Sequence, residues 1–316
     1  MLPDRTAHRR ESLTLDDGRR LAFTDTGEIG ATPVIYCHGA IGTPIDATVD
    51  LAQMTAQLGI RYLAPSRPGV GGSDPSPGRT IMGFADDVRQ LADALSLDRI
   101  YIAGVSAGGP YALAVAHGLA DRIYKVAVCS SMSPLCAPHR TPGMSPRIRF
   151  ALAAVTRAPK TIESLGDAVL PLIARHPRLI SRVIAAHAAE SERERLGTPE
   201  ERSAASRSFL DAACGGVGGM VADYLSYSAD WGFDVAEVDC EVHLWHGCRD
   251  PLVPVEHALQ LATALRRSRI FFDPDEGHHF FRSNLARILG VLIGREADPG
   301  RVETTFDGVR ALIAHR

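Results

Sequence analysis

Gly104-Val105-Ser106-Ala107-Gly108 stands between an apolar run, Ile100 to Val105, and a small-residue helical stretch, Gly109 to Leu119. A strand that turns at once into a helix drives its tip residue through a strained backbone conformation and leaves that side chain clear of the sheet. Glycines two residues to either side, Gly104 and Gly108, give the turn its room. A helix N-terminus adds unpaired N–H groups and the positive end of the helix dipole, both of which favour an oxyanion. The pentapeptide reads as a nucleophile elbow with Ser106 at its tip. The same five letters can fall in an ordinary loop of a chain rich in Gly and Ala, so the pattern around them has to decide.

Outward from the elbow the pattern alternates. Glu11 to Thr26 alternates around Asp16-Asp17-Gly18 and predicts a hairpin of two short strands. Pro33 to Cys37 is apolar throughout, as expected of a strand covered by helices on both faces. A helix over Ile45 to Leu58, a strand at Arg61 to Ala64, a helix over Ile81 to Leu95 and a strand at Arg99 to Val105 follow. After the elbow helix comes a strand at Lys125 to Cys129. The expected fold class is α/β with a doubly wound, mostly parallel sheet. From Leu135 to Asp234 the strand signal vanishes in favour of amphipathic helical stretches broken by prolines and by Gly215 to Gly219. Thr198-Pro199-Glu200-Glu201 carries a helix start. The pattern resumes with strands at Glu241 to Trp245 and Ser268 to Phe272, helices over Val255 to Arg266 and Phe280 to Ile293, and a last helix over Val302 to His315. Residues 1–134 and 235–316 therefore form the expected core domain, with 135–234 inserted as a helical cap.

The composition fits one large core or two modest domains: 316 residues, 45% hydrophobic and 22% charged. A net charge of −3 supplies no basic field for nucleic acid. The longest apolar region, Ile100 to Ala120, is broken by glycines, Ser106 and Pro110, which argues against a membrane span. Met1 to Ser12 does not read as a secretory signal, and six scattered cysteines without C-x-x-C spacing read as reduced thiols. A soluble cytoplasmic protein of undetermined oligomeric state is the expectation.

A nucleophilic serine needs a base, and the base needs a group to orient it. In open α/β sheets such groups lie beyond the carboxyl ends of strands. One such end carries His246-Gly247-Cys248-Arg249-Asp250-Pro251-Leu252-Val253-Pro254, the other Asp273-Pro274-Asp275-Glu276-Gly277-His278-His279. His246, Cys248 and Asp250 would share a face if the strand continued, a weak metal-like pattern; the glycine and proline around them end the strand, so no metal and no cofactor are expected. Gly69, Gly71 and Gly72 match no phosphate-binding loop and read as a tight turn.

The chain resembles an alpha/beta hydrolase with a helical cap. The resemblance rests on His38-Gly39 after a strand, Arg67-Pro68-Gly69-x-Gly71-x-Ser73-Asp74, the elbow, Gly247-x-x-Asp250-x-x-Val253-Pro254, Gly277-His278, and the serine, acid, histidine order of Ser106, Asp250 and His278. It implies that Ser106 is the nucleophile, that His278 directly after Gly277 takes its proton in preference to His279, and that Asp250 orients the imidazole. It also implies an oxyanion hole of the backbone N–H groups of Ala40 and Ala107. Losing one such donor costs about 3 kcal/mol in side-chain examples. His38, Gly39, Ala40, Ile41, Ala107, Met132, Leu135 and Val253 are expected around the cleft, with no charged anchor among them. The expected reaction is hydrolysis of an ester or related acyl bond of a small, largely apolar substrate through an acyl-enzyme. Thioester or carbon–carbon bond hydrolysis, acyl transfer and perhydrolysis are alternatives on the same triad. A non-catalytic ligand receptor of the same fold is another.

Overall fold

In the computed structural model, residues 9–40, 42–43, 50–135, 144–176 and 178–296 are described. One sheet of eight strands runs in the order β1-β2-β4-β3-β5-β6-β7-β8. Its members are β1 (Arg9–Thr14), β2 (Arg20–Thr26), β3 (Thr32–Cys37), β4 (Ile60–Pro65), β5 (Ile100–Val105), β6 (Ile123–Cys129), β7 (Glu241–Gly247) and β8 (Ser268–Asp273). β1 and β2 are antiparallel to their neighbours, with Thr14 opposite Arg20 across the turn at Asp16-Asp17-Gly18; from β4 to β8 every pair is parallel. This is the doubly wound, mostly parallel sheet that the alternating pattern predicts.

The apolar runs of the central strands are explained by burial on both faces. In β3, Ile35 and Cys37 pack with α2 (Ile81–Ala94) and α3 (Gly108–Gly118), while Val34 and Tyr36 pack on the opposite face with α1 (Leu51–Leu58) and α11 (Phe281–Leu292). β5 repeats the division: Ile102 on the first face, Ala103 and Val105 on the second. Each fully buried Val or Ile among them contributes about 1.5–3 kcal/mol of hydrophobic stabilisation. The described part of the helix expected over Ile45 to Leu58 begins at Leu51, capped by Asp50; its earlier residues, and the helix expected over Val302 to His315, lie outside the described residues. β7 continues through His246 and Gly247, two residues beyond the expected end at Trp245. Pairing of Gly247 with Asp273 of β8 carries it on.

Between β6 and β7 lie α4 (Pro146–Arg157), α5 (Pro159–Arg175), α6 (Arg178–Ala186), α7 (Glu190–Leu196), α8 (Pro199–Ala212) and α9 (Gly218–Ser228). α8 starts as the sequence suggests, with Thr198 accepting from the Glu201 amide and Pro199 in the first turn. α4 and α5 have no buried residue, whereas α8 and α9 bury Ala204, Ala212, Met220 and Asp223 among others. The short α10 (Glu256–Ala264) follows β7 and covers the β7–β8 edge. No helix among the described residues is long and apolar enough to cross a membrane.

Candidate active site

Ser106 leaves β5 at φ +53°, in the left-handed region, where a residue with a Cβ loses about 1–2 kcal/mol. The conformation is held by its amide, which donates to the Cys129 carbonyl at 2.8 Å. The flanking glycines serve close approach. A Cβ on Gly104 would lie 2.6 Å from the Gly108 carbonyl oxygen, and one on Gly108 would lie 2.0 Å from the Cys37 carbonyl oxygen. α3 can therefore begin directly against the ends of β5 and β3.

His278, after β8, places Nε2 3.0 Å from Ser106 Oγ and Nδ1 2.7 Å from Asp250 Oδ2. Asp250, after β7, is fixed in turn: its Oδ1 accepts from the Leu252 and Val253 amides at 2.8 and 2.9 Å. The three residues expected to act as nucleophile, base and orienting acid, separated by up to 172 positions, thus meet at one point. Burial pulls the His278 pKa down, but the charge and hydrogen bond of Asp250 and the charge of Glu192 outweigh it, so the net shift is upward. His246 donates Nε2–H to the Val253 carbonyl at 2.8 Å and lies 3.5 Å from Asp250, bracing the acid's loop.

The loop after β3 passes beside the serine; a Cβ on Gly39 would sit 3.8 Å from Ser106 Cβ. Its carbonyls are turned away and held by Arg67, whose Nη1 donates to the His38 oxygen at 2.5 Å and Nη2 to the Gly39 oxygen at 2.8 Å. No backbone acceptor is found for the Ala40 or Ala107 amide among the described residues. His38 is buried behind this loop. The Arg67 amide donates to its Nε2 and its Nδ1–H donates to the Gly39 carbonyl, a tautomer consistent with a pKa pushed by burial and Arg67 down to about 3. Arg67 is itself fully buried against Asp223 of α9, which also binds Arg79 at 2.7 Å and the Tyr111 hydroxyl at 2.9 Å.

Over Ser106 opens a cavity of about 230 Å³ walled by Gly39, Ala40, Ala107, Met132 and Val253 from the sheet side and by Ile148, Leu152, Ile184 and Tyr224 from the inserted helices. Two of the expected wall residues need correction. His38 faces Arg67, away from the cavity, because its ring nitrogens are both used there. Leu135 packs against the main core cluster and is not on the wall. Ile41 lies outside the described residues. The wall also holds a charge that the sequence reading left out, Arg282, together with His279.

Glu192 of α7 left no signal in the sequence. Fully buried, it accepts the His279 amide at 2.6 Å and the Ala189 amide at 3.3 Å, and a Cβ on Gly277 would lie 2.5 Å from its Oε2. The histidine loop is thereby tied to the inserted helices. In the sequence Glu192 belongs to a charged stretch, Glu190 to Arg195, that looks like a solvated helix face. Arg282 did leave a signal: it falls in the helix expected over Phe280 to Ile293, four residues after the candidate base.

A profile of the alpha/beta hydrolase fold matches residues 32–284, most of the chain. The chain belongs to the alpha/beta hydrolase fold family. It is 33% identical over 128 residues to a non-heme chloroperoxidase of Streptomyces lividans, a match covering 39% of this chain and 45%, under half, of that one. It is 23% identical over 290 residues to YcgS, an uncharacterised hydrolase of Bacillus subtilis strain 168, covering 90% of this chain and 98% of that one. Among solved structures, a thermophilic esterase from Thermogutta terrifontis superposes with a TM-score of 0.64 at 22% identity, covering 90% of this chain and 97% of that one. An enol-lactonase from Burkholderia xenovorans LB400 gives 0.65 at 20%, covering 90% and 100%. At these identities the structures speak to fold alone.

Proposed function

We propose that this alpha/beta hydrolase is a serine hydrolase that cleaves an ester or related acyl bond of a small, largely apolar substrate, with residues 135–234 acting as its cap. Ser106 Oγ attacks the acyl carbon as its proton passes to His278 Nε2. Asp250 holds the imidazole with Nε2 free to accept and stabilises the imidazolium. The Ala40 and Ala107 amides receive the oxyanion, at a helix N-terminus whose dipole favours it. His278 then protonates the leaving group, and water attacks the acyl-enzyme with His278 again as base. The observation that carries this reading is the continuous chain from Ser106 through His278 to Asp250 at 3.0 and 2.7 Å, with the serine held at φ +53°.

Turnover of para-nitrophenyl esters and thioesters of graded acyl length tests it, with Ser106→Ala as control. The variant is expected to lose about five to six powers of ten in kcat and all labelling by a fluorophosphonate. Ester turnover at an unchanged rate in Ser106→Ala would reject the assignment. One second reading has an observation behind it: the 33% identical stretch shared with the chloroperoxidase favours hydrogen peroxide in place of water as acceptor of the acyl group. Peracid formation from a carboxylic acid and peroxide, lost with Ser106, distinguishes it.

A further inference from the structure

The cavity over Ser106 is apolar along most of its wall, yet two residues of that wall each carry a buried polar atom that finds no hydrogen-bond partner among the described residues. Arg282 is 6% exposed, and its Nε donates to Glu201 Oε2 of α8 at 3.1 Å. Its Nη2 has no hydrogen-bond partner among the described residues, and neither has Nε2 of His279, which is 8% exposed. Both side chains line the cavity, and the His279 ring lies 5.2 Å from the His278 ring in an edge-to-face arrangement. A buried donor without an acceptor is costly, and native proteins keep such groups where a ligand or water completes them.

We infer that Arg282 and His279 form a polar subsite for a second oxygen of the substrate, so that the acyl compound cleaved at Ser106 carries a neutral carbonyl-type acceptor apart from the scissile group. This rests on the serine-hydrolase reading above and adds the substrate class to it. Neutrality follows from the charges present. Glu201 already balances the Arg282 guanidinium, and His279 is held uncharged by burial and by His278, Arg282 and Arg195. A carboxylate would bring uncompensated negative charge into a cavity with mostly apolar walls. A ketone, ester or amide oxygen satisfies the Nη2–H without that penalty.

The test uses the full chain and three matched series of para-nitrophenyl esters: plain alkanoyl, the same chains with a CH₂ replaced by C=O at successive positions, and chains ending in a carboxylate. At the matching position the oxo ester is expected to exceed its alkanoyl counterpart by about 10-fold or more in kcat/KM, as sites with buried polar groups discriminate against analogues that leave them unpaired. In the Glu201→Gln/Arg282→Met variant, which removes both charges together, and in His279→Phe, the ratio of oxo to alkanoyl ester is expected to fall toward one. A ratio near one at every position in the unaltered protein, or a preference for the carboxylate series, overturns the inference. Calorimetric affinities of methyl oxo-alkanoates against methyl alkanoates for Ser106→Ala give an answer independent of turnover. The same preference there supports the subsite even if no ester is hydrolysed, the outcome that would sink the serine-hydrolase reading alone. Equal affinities overturn the subsite while leaving that reading in place.

Discussion

At the scale of single residues, the raised pKa of His278 has a direct kinetic consequence. The proposed base works only when neutral, so a pKa moved upward by Asp250 and Glu192 keeps it protonated, and idle, to a higher pH. The acid limb of a kcat/KM profile for a neutral ester is therefore expected above the ordinary histidine value of 6.5, with activity lost as pH falls through it. Glu192→Gln removes one of the two charges favouring the imidazolium and is expected to shift that limb to lower pH, while Ser106 remains reactive to fluorophosphonate. An acid limb well below 6.5, or one that ignores Glu192→Gln, would contradict the electrostatic account.

At the scale of elements, the site depends on close approach between α3 and the ends of β3 and β5. Gly108→Ala pushes a methyl group to 2.0 Å from the Cys37 carbonyl oxygen, backbone that cannot turn aside. Urea denaturation is expected to register a loss of about 1–3 kcal/mol or more. The turnover number is expected to fall with it, since the loop proposed to receive the oxyanion follows Cys37 directly. The joint between that loop and α9 is ionic and fully buried. Burial would raise the Asp223 pKa, but Arg67 and Arg79 hold it below the usual carboxylate value. Asp223→Asn leaves two buried guanidinium groups facing a neutral amide, and breaking such a cluster typically costs about 3–5 kcal/mol, readable from the denaturation midpoint. A loss below about 1 kcal/mol would show that water reaches the cluster.

Across the whole molecule, the inserted helices divide into two groups by how they are attached. α7, α8 and α9 reach the sheet domain through Glu192 at the histidine loop, Glu201 at Arg282 and Asp223 at Arg67. α4 and α5 bury no residue, although α4 contributes Ile148 and Leu152 to the cavity wall. Opening free energy follows local burial. Amide hydrogen exchange is thus expected to be fast in α4 and α5, through local opening that exposes the cavity, and slow in α8 and α9, close to the global limit. Uniform protection across all six helices would show that the outer pair is held more firmly than its contacts imply.

Sequence alone determined the sheet, because strands buried on both faces must be apolar at every position, as in Val34 to Cys37 and Ile100 to Val105. It also carried the elbow pattern, through glycines that close backbone approach demands, and placed candidate acids and histidines after strand ends, among which the resemblance to alpha/beta hydrolases pointed to Asp250 and His278. Tertiary structure alone decided which charges are buried. Glu192 and Glu201 sit in helical stretches whose charged composition is that of a solvated surface, while Asp223 is the one charge of α9, and each finds its partner only because its helix folds back over the strand ends. Burial of a polar group is a property of what arrives from elsewhere in the chain, and local sequence carries no record of it.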